Sequence, residues 1–107
     1  MVRSAEEVNR LSQYALETLE RELPINAAFL FGSYVDGNPH EGSDIDLAIF
    51  TADLALLTIS QKSRLQLHIQ RHCALDLELH LYSLNALNKA RRTNFFGYLL
   101  EHGKRLR

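Results

Sequence analysis

A chain of 107 residues, 46% apolar and 23% charged, can build one hydrophobic core but not a catalytic domain plus a full substrate-binding domain. Five glycines and two prolines exclude low-complexity disorder, and a net charge of −1 argues against a nucleic-acid-binding face, which needs concentrated Lys and Arg. Cys73 is the single cysteine, which excludes an intrachain disulfide; with no signal-like apolar stretch near Met1 and no apolar run of membrane-span length, the expectation is a cytoplasmic protein without membrane contact.

The chain reads as a single domain, 1–107, of the α/β (α+β) class. Ser4-Ala5-Glu6-Glu7 has the form of a capping box, and Val8, Leu11, Ala15 and Leu19 follow at helical spacing, so a helix is expected to about Glu22, where Leu23-Pro24 ends it. Ala27-Ala28-Phe29-Leu30-Phe31 is a short apolar run stopped by Gly32, as in a buried strand. A helical turn around Ser33-Tyr34-Val35 and then a loop fit the segment containing Gly37, Asn38, Pro39, Gly42 and Ser43. A second strand is expected from Asp44 to Phe50, polar at its start and apolar after it.

A helix is expected from Thr58 or Ser60 to about His72. His68 and His72, four apart and next to Cys73, lack a third ligand at a useful spacing and read as a polar helix end with a small buried thiol. Leu75-Asp76-Leu77-Glu78-Leu79-His80-Leu81 alternates throughout, which predicts a third strand with Asp76, Glu78 and His80 on one face. Ser83 and Asn94 are placed to cap two short helices, with Gly103 as the residue that ends the last. Arg91-Arg92 and the tail Lys104-Arg105-Leu106-Arg107 read as a solvated helix end and a frayed terminus.

These elements bring polar groups together. If the first two strands are antiparallel neighbours, Gly32 at the end of one meets Asp44 and Asp46 at the start of the other. A helix between the second and third strands makes that pair parallel, which would set Asp76 beside Asp46. Asp44 and Asp46, two apart on a strand, point the same way, and such carboxylates repel unless a cation neutralises them. Mg²⁺ suits these hard oxygen ligands, and two ions ~3.5–4 Å apart would serve phosphoryl chemistry. Gly32, with no Cβ, admits a phosphate close to the backbone, where the Ser33 hydroxyl and the amides of the following turn would bind it.

The run Gly32-Ser33-Tyr34-Val35-Asp36-Gly37, ten residues between Ser33 and Asp44, and then Ser43-Asp44-Ile45-Asp46-Leu47 resembles the signature of the DNA polymerase β-like nucleotidyltransferase superfamily. More narrowly it is similar to the minimal nucleotidyltransferases, the MNT proteins. The resemblance implies a small mixed β-sheet flanked by helices. It also implies triphosphate binding at Gly32 and Ser33, metals on Asp44 and Asp46, and a third catalytic carboxylate on the next strand. Leu75-Asp76-Leu77 matches that last position, with Glu78 on the same face as the fallback; His80 reads as a surface histidine at the rim.

Several members of the family are encoded beside a HEPN-domain protein, in toxin–antitoxin pairs. The resemblance therefore implies an antitoxin that transfers AMP from ATP to a tyrosine of a HEPN toxin. Two other functions compete with it: a non-catalytic antitoxin acting by complex formation, and a nucleotidyltransferase for a small aminoglycoside-type hydroxyl compound, completed by a homo-oligomer.

Overall fold

The computed structural model describes residues 2–107. Helix α1 spans Ala5–Glu20, with Ser4 as its N-cap and Glu7 N–H donating to the Ser4 side chain. Only half of the expected capping box forms, because the Glu7 carboxylate accepts from Arg3 Nη1 at 2.5 Å. The full box occurs at α3, Ile59–His72, where Thr58 and Gln61 exchange side-chain and backbone bonds.

Strands β1 (Ala27–Phe31), β2 (Ile45–Thr51), β3 (Leu77–Ser83) and β4 (Lys104–Arg105) form one sheet in the order β3-β2-β1-β4. β1 and β2 are antiparallel, β2 and β3 parallel, and β4 closes the far edge against β1. The two expected pairings around β2 are therefore present. Strand alternation sends Ala28, Leu30, Ile45, Leu47, Ile49 and Leu77 to one face, where they pack with Leu11, Leu16 and Leu19 of α1 and Ile69 of α3. Ala27, Phe29, Ala48 and Phe50 take the other face, under Leu99 of α4 (Phe95–His102). β2 is central and largely buried on both sides, as its continuous apolar run requires.

Four details differ from expectation. β3 starts at Leu77, so Leu75 and Asp76 lie in the preceding turn, and Leu75 is 80% exposed. The segment after Ser83 is a 3₁₀ helix, Leu84–Lys89. Gly103 is extended (φ −69°, ψ 152°) instead of left-handed, since the chain must turn straight into β4; glycine is needed there because a Cβ would stand 2.7 Å from the Leu99 carbonyl oxygen. The basic tail is not frayed: Leu106 N–H donates to Ala28 O, the Arg105 guanidinium lies over the Phe29 ring, and Arg107 pairs with Glu20 at 3.0 Å.

The exposed edge of β3 is satisfied by side chains. Gln66 of α3 accepts from Leu79 N–H and donates to Leu77 O, and Gln70 donates to the same carbonyl. These bonds occupy backbone groups that an unprotected edge would offer to another strand.

Candidate active site

Sheet register assembles the site on the β2 face that carries Asp46, Ala48 and Phe50. Phe31 stands opposite Asp46 across the antiparallel pair, and Glu78 opposite Asp46 across the parallel one. One carboxylate thus has the end of β1 on one side and a second acid on the other. Gly32 adopts φ 87°, ψ −158°, and a Cβ built on it would lie 2.6 Å from Asp46 Oδ2. The glycine is what allows the backbone and the carboxylate to share this space.

After Gly32 the chain makes one helical turn, α2 (Ser33–Asp36), with Val35 and Asp36 N–H groups closing on Gly32 O. The first amides of such a turn, those of Ser33 and Tyr34, have no acceptor within the helix and face outward from its start. Tyr98 of α4 ties the turn down by donating its hydroxyl to Asp36 Oδ1 at 2.7 Å. In the loop that follows, Ser43 is buried and its Oγ accepts from His40 N–H, so it braces the approach to Asp44. Asp44 itself is exposed at the mouth of β2 and lines a groove that also contains Glu78.

His80 completes the group. Its Nε2 lies 3.1 Å from Asp46 Oδ1, and ligand atoms of Asp46, Glu78 and His80 all fall within 4.8 Å of one another. The hydrogen bond to Asp46 raises the His80 pKa above its ordinary value, against the opposing effect of burial. A cationic imidazole is thus favoured where two carboxylates meet. Its ring also packs edge-on against Phe31, at 5.0 Å between centroids, which fixes its orientation. Asp46 and Glu78 are hard oxygen donors suited to a divalent cation, and the imidazole could join them only in its neutral form, with a free nitrogen lone pair.

The structure brings Gly32, Asp46 and Glu78 together and leaves Asp76 outside that cluster. The expectation that Asp76 falls beside Asp46 is corrected by the register, which puts Glu78 there. Asp76 instead takes a two-point bond from Arg3, Nε to Oδ2 at 2.7 Å and Nη2 to Oδ1 at 2.9 Å, while its carbonyl accepts from Ile45 N–H. Among the described residues no metal-type cluster forms around His68, His72 and Cys73; the Cys73 thiol is pushed up by burial.

The Arg3–Asp76 pair has a measurable signature. The hydrogen bonds from Arg3 hold the Asp76 carboxyl below its usual value, with burial acting in the opposite sense. A carboxylate lowered by folding contributes stability that is complete above its unfolded value near ~3.9 and is lost as pH falls through the folded one. Arg3→Ala is expected to cost about 1–2 kcal/mol at neutral pH. Urea unfolding of wild type and variant should show the gap narrowing as pH falls below the ordinary carboxylate range; a gap that persists undiminished in strong acid contradicts the pairing.

A family model described as polymerase beta, nucleotidyltransferase, matches residues 13–106. The chain belongs to the polymerase β nucleotidyltransferase family. Its likeness to an MntA protein supports the minimal, MNT type within this family. Protein adenylyltransferase MntA of Shewanella oneidensis is 33% identical over 72 residues, 66% of this chain and 49% of that protein. The chain thus spans about half the length of that curated relative.

Among solved nucleotidyltransferase-like structures, a toxin–antitoxin crystallised with AMP-PNP aligns with TM-score 0.57 at 27% identity, covering 87% of this chain and 70% of that one. A structure from Sulfolobus solfataricus, provisionally assigned as a nucleotidyltransferase, aligns with TM-score 0.59 at 14% identity over 77% of this chain and 72% of that one, which shows the shared fold. The fold of a polymerase β nucleotidyltransferase domain, a four-stranded mixed sheet flanked by helices, is therefore present.

His80 is the site residue that sequence reasoning passed over by treating it as a surface histidine. The signal was available: it follows Glu78 at strand spacing on the polar face. Its proximity to Asp46 depends on the parallel register, which no local pattern encodes.

Proposed function

We propose that the chain is a Mg²⁺-dependent nucleotidyltransferase that moves AMP from ATP to a hydroxyl of a partner protein, a tyrosine of a HEPN toxin, and so acts as an antitoxin in the cytoplasm. The carrying observation is the convergence of Gly32, Asp46 and Glu78 at one end of the sheet. The likeness to a protein adenylyltransferase and to a toxin–antitoxin with a bound ATP analogue supports this choice of nucleotide and partner.

In this reading Ser33 and the amides opening α2 bind the triphosphate beside Gly32, and Asp44, Asp46 and Glu78 hold the metal. Mg²⁺, when bound, neutralises the converging anions and makes the acceptor hydroxyl more acidic. The acceptor oxygen forms a bond to the α-phosphorus as the bond to the bridging oxygen of the leaving pyrophosphate breaks. Glu78 takes the hydroxyl proton. The protein's work is positioning and charge compensation, with no covalent intermediate on a side chain.

Asp76, the third carboxylate expected from the sequence pattern, is in this reading a positioning residue that anchors the start of β3 to Arg3. Glu78→Gln is expected to lower transfer of label from α-³²P-ATP to the partner by about 10²-fold or more, and Asp76→Asn by less than about ten-fold. The reverse ranking would return the third-ligand role to Asp76. Assays of the wild type with ATP, GTP, CTP or UTP, with and without partner, test the function itself. Label that never reaches the partner, or inhibition of the toxin that survives EDTA undiminished, contradicts it.

A further inference from the structure

Helix α3 is basic and free of acidic residues. The helix carries Lys62, Arg64 and Arg71, with His68 and His72, and no Asp or Glu, in a chain whose net charge is −1. Leu67, 49% exposed, forms a ridge between two grooves. One, of about 540 Å³, is lined by Arg64, His68, Arg71 and His72 of the helix, with Glu22 as its one acidic residue. The other, of about 650 Å³, runs along the edge of β3 past Leu75, which is 80% exposed, and includes Asp44 and Glu78.

We propose that this face of α3 docks an acidic segment of the acceptor protein, with apolar side chains seated on Leu67 and Leu75, and that the β3-side groove leads the acceptor hydroxyl to the carboxylates. The inference rests on the nucleotidyl-transfer reading for the identity of the acceptor. Three observations select the occupant. An acid-free cationic helix complements an acidic partner. Exposed leucines beside the grooves suit a polypeptide better than a nucleotide. Continuity of the groove with Asp44 and Glu78 makes the bound segment an acceptor and not a remote tether. Gln66 and Gln70 already occupy β3 edge groups, so docking proceeds through side chains and not by strand addition.

The test uses the full chain and the HEPN-domain partner, with calorimetry for affinity and labelled ATP for transfer. Arg64→Glu/Arg71→Glu and, separately, Leu67→Ser/Leu75→Ser are each expected to weaken partner binding by at least about ten-fold. At saturating partner the turnover rate should stay within about three-fold, so that KM carries the loss. Salt should weaken binding less in the charge-reversed variant than in wild type. Tyr14→Ser, on exposed α1 surface, is the control and should change neither quantity.

Wild-type affinity in both variants, or a loss confined to turnover, overturns the docking face while leaving the transfer reading intact. A wild type that binds the partner but transfers no nucleotide overturns the transfer reading, and the affinity loss in the variants then still supports the docking face. Unchanged melting temperatures are expected, because the substituted side chains are all exposed.

Discussion

Replacing Asp46 by Asn is expected to reduce nucleotidyl transfer by about 10³-fold or more, while the fold is retained. The carboxylate lies at the centre of the site, with Oδ1 toward His80 and Oδ2 against Gly32, and Glu78 stands opposite on the next strand. Asn conserves shape but removes the charge that would balance a divalent cation. Asp46 is also partly exposed, at 20% of its side-chain surface, so the change in unfolding free energy should stay within about 1 kcal/mol. Transfer assays alongside thermal melts separate these effects; a variant with half the wild-type rate would exclude Asp46 from the chemistry. Asp44→Asn is expected to follow the same pattern.

Gly32→Ala should damage both stability and transfer. The residue's φ of 87° is disfavoured for any side chain, and the added Cβ would lie 2.6 Å from Asp46 Oδ2, too close for the carboxylate to stay in place. A stability loss of about 1–3 kcal/mol and a fall in transfer of about 10²-fold are expected. Gly37→Ala provides the comparison. That glycine has the same φ of 87°, but nothing lies within 4 Å of its Cβ, so only backbone strain is paid and transfer should survive. Equal activity losses in the two variants would show that strain, and not the collision with Asp46, is responsible.

What could be read from the sequence follows from how local each signal is. α1 announces itself through apolar periodicity and β1 and β2 through short apolar runs, and the Gly32-Ser33 to Asp44/Asp46 spacing belongs to one strand-turn-strand unit. β3 was recognisable as a strand, but its first residue was not, because the alternation from Leu75 to Leu81 is equally regular in every window. The start is set by distant partners. Arg3 draws Asp76 into the turn, while Gln66 and Gln70 hold Leu77 at the strand's edge. A shift of two residues preserves every side chain's face and exchanges Asp76 for Glu78 beside Asp46. Likewise β4 is only two residues long, too short for any period, and is defined by pairing with Phe29 and Leu30.

Divalent-metal binding tests the central claim, that Asp44, Asp46 and Glu78 form a metal–nucleotide site, without requiring a partner. Mn²⁺ would be titrated by paramagnetic resonance in the presence of a non-hydrolysable ATP analogue, against wild type, Asp46→Asn, Glu78→Gln and Asp76→Asn. The account predicts binding to wild type and Asp76→Asn, with affinity lowered at least about ten-fold in Asp46→Asn and Glu78→Gln. Equal affinity in all four proteins would contradict it.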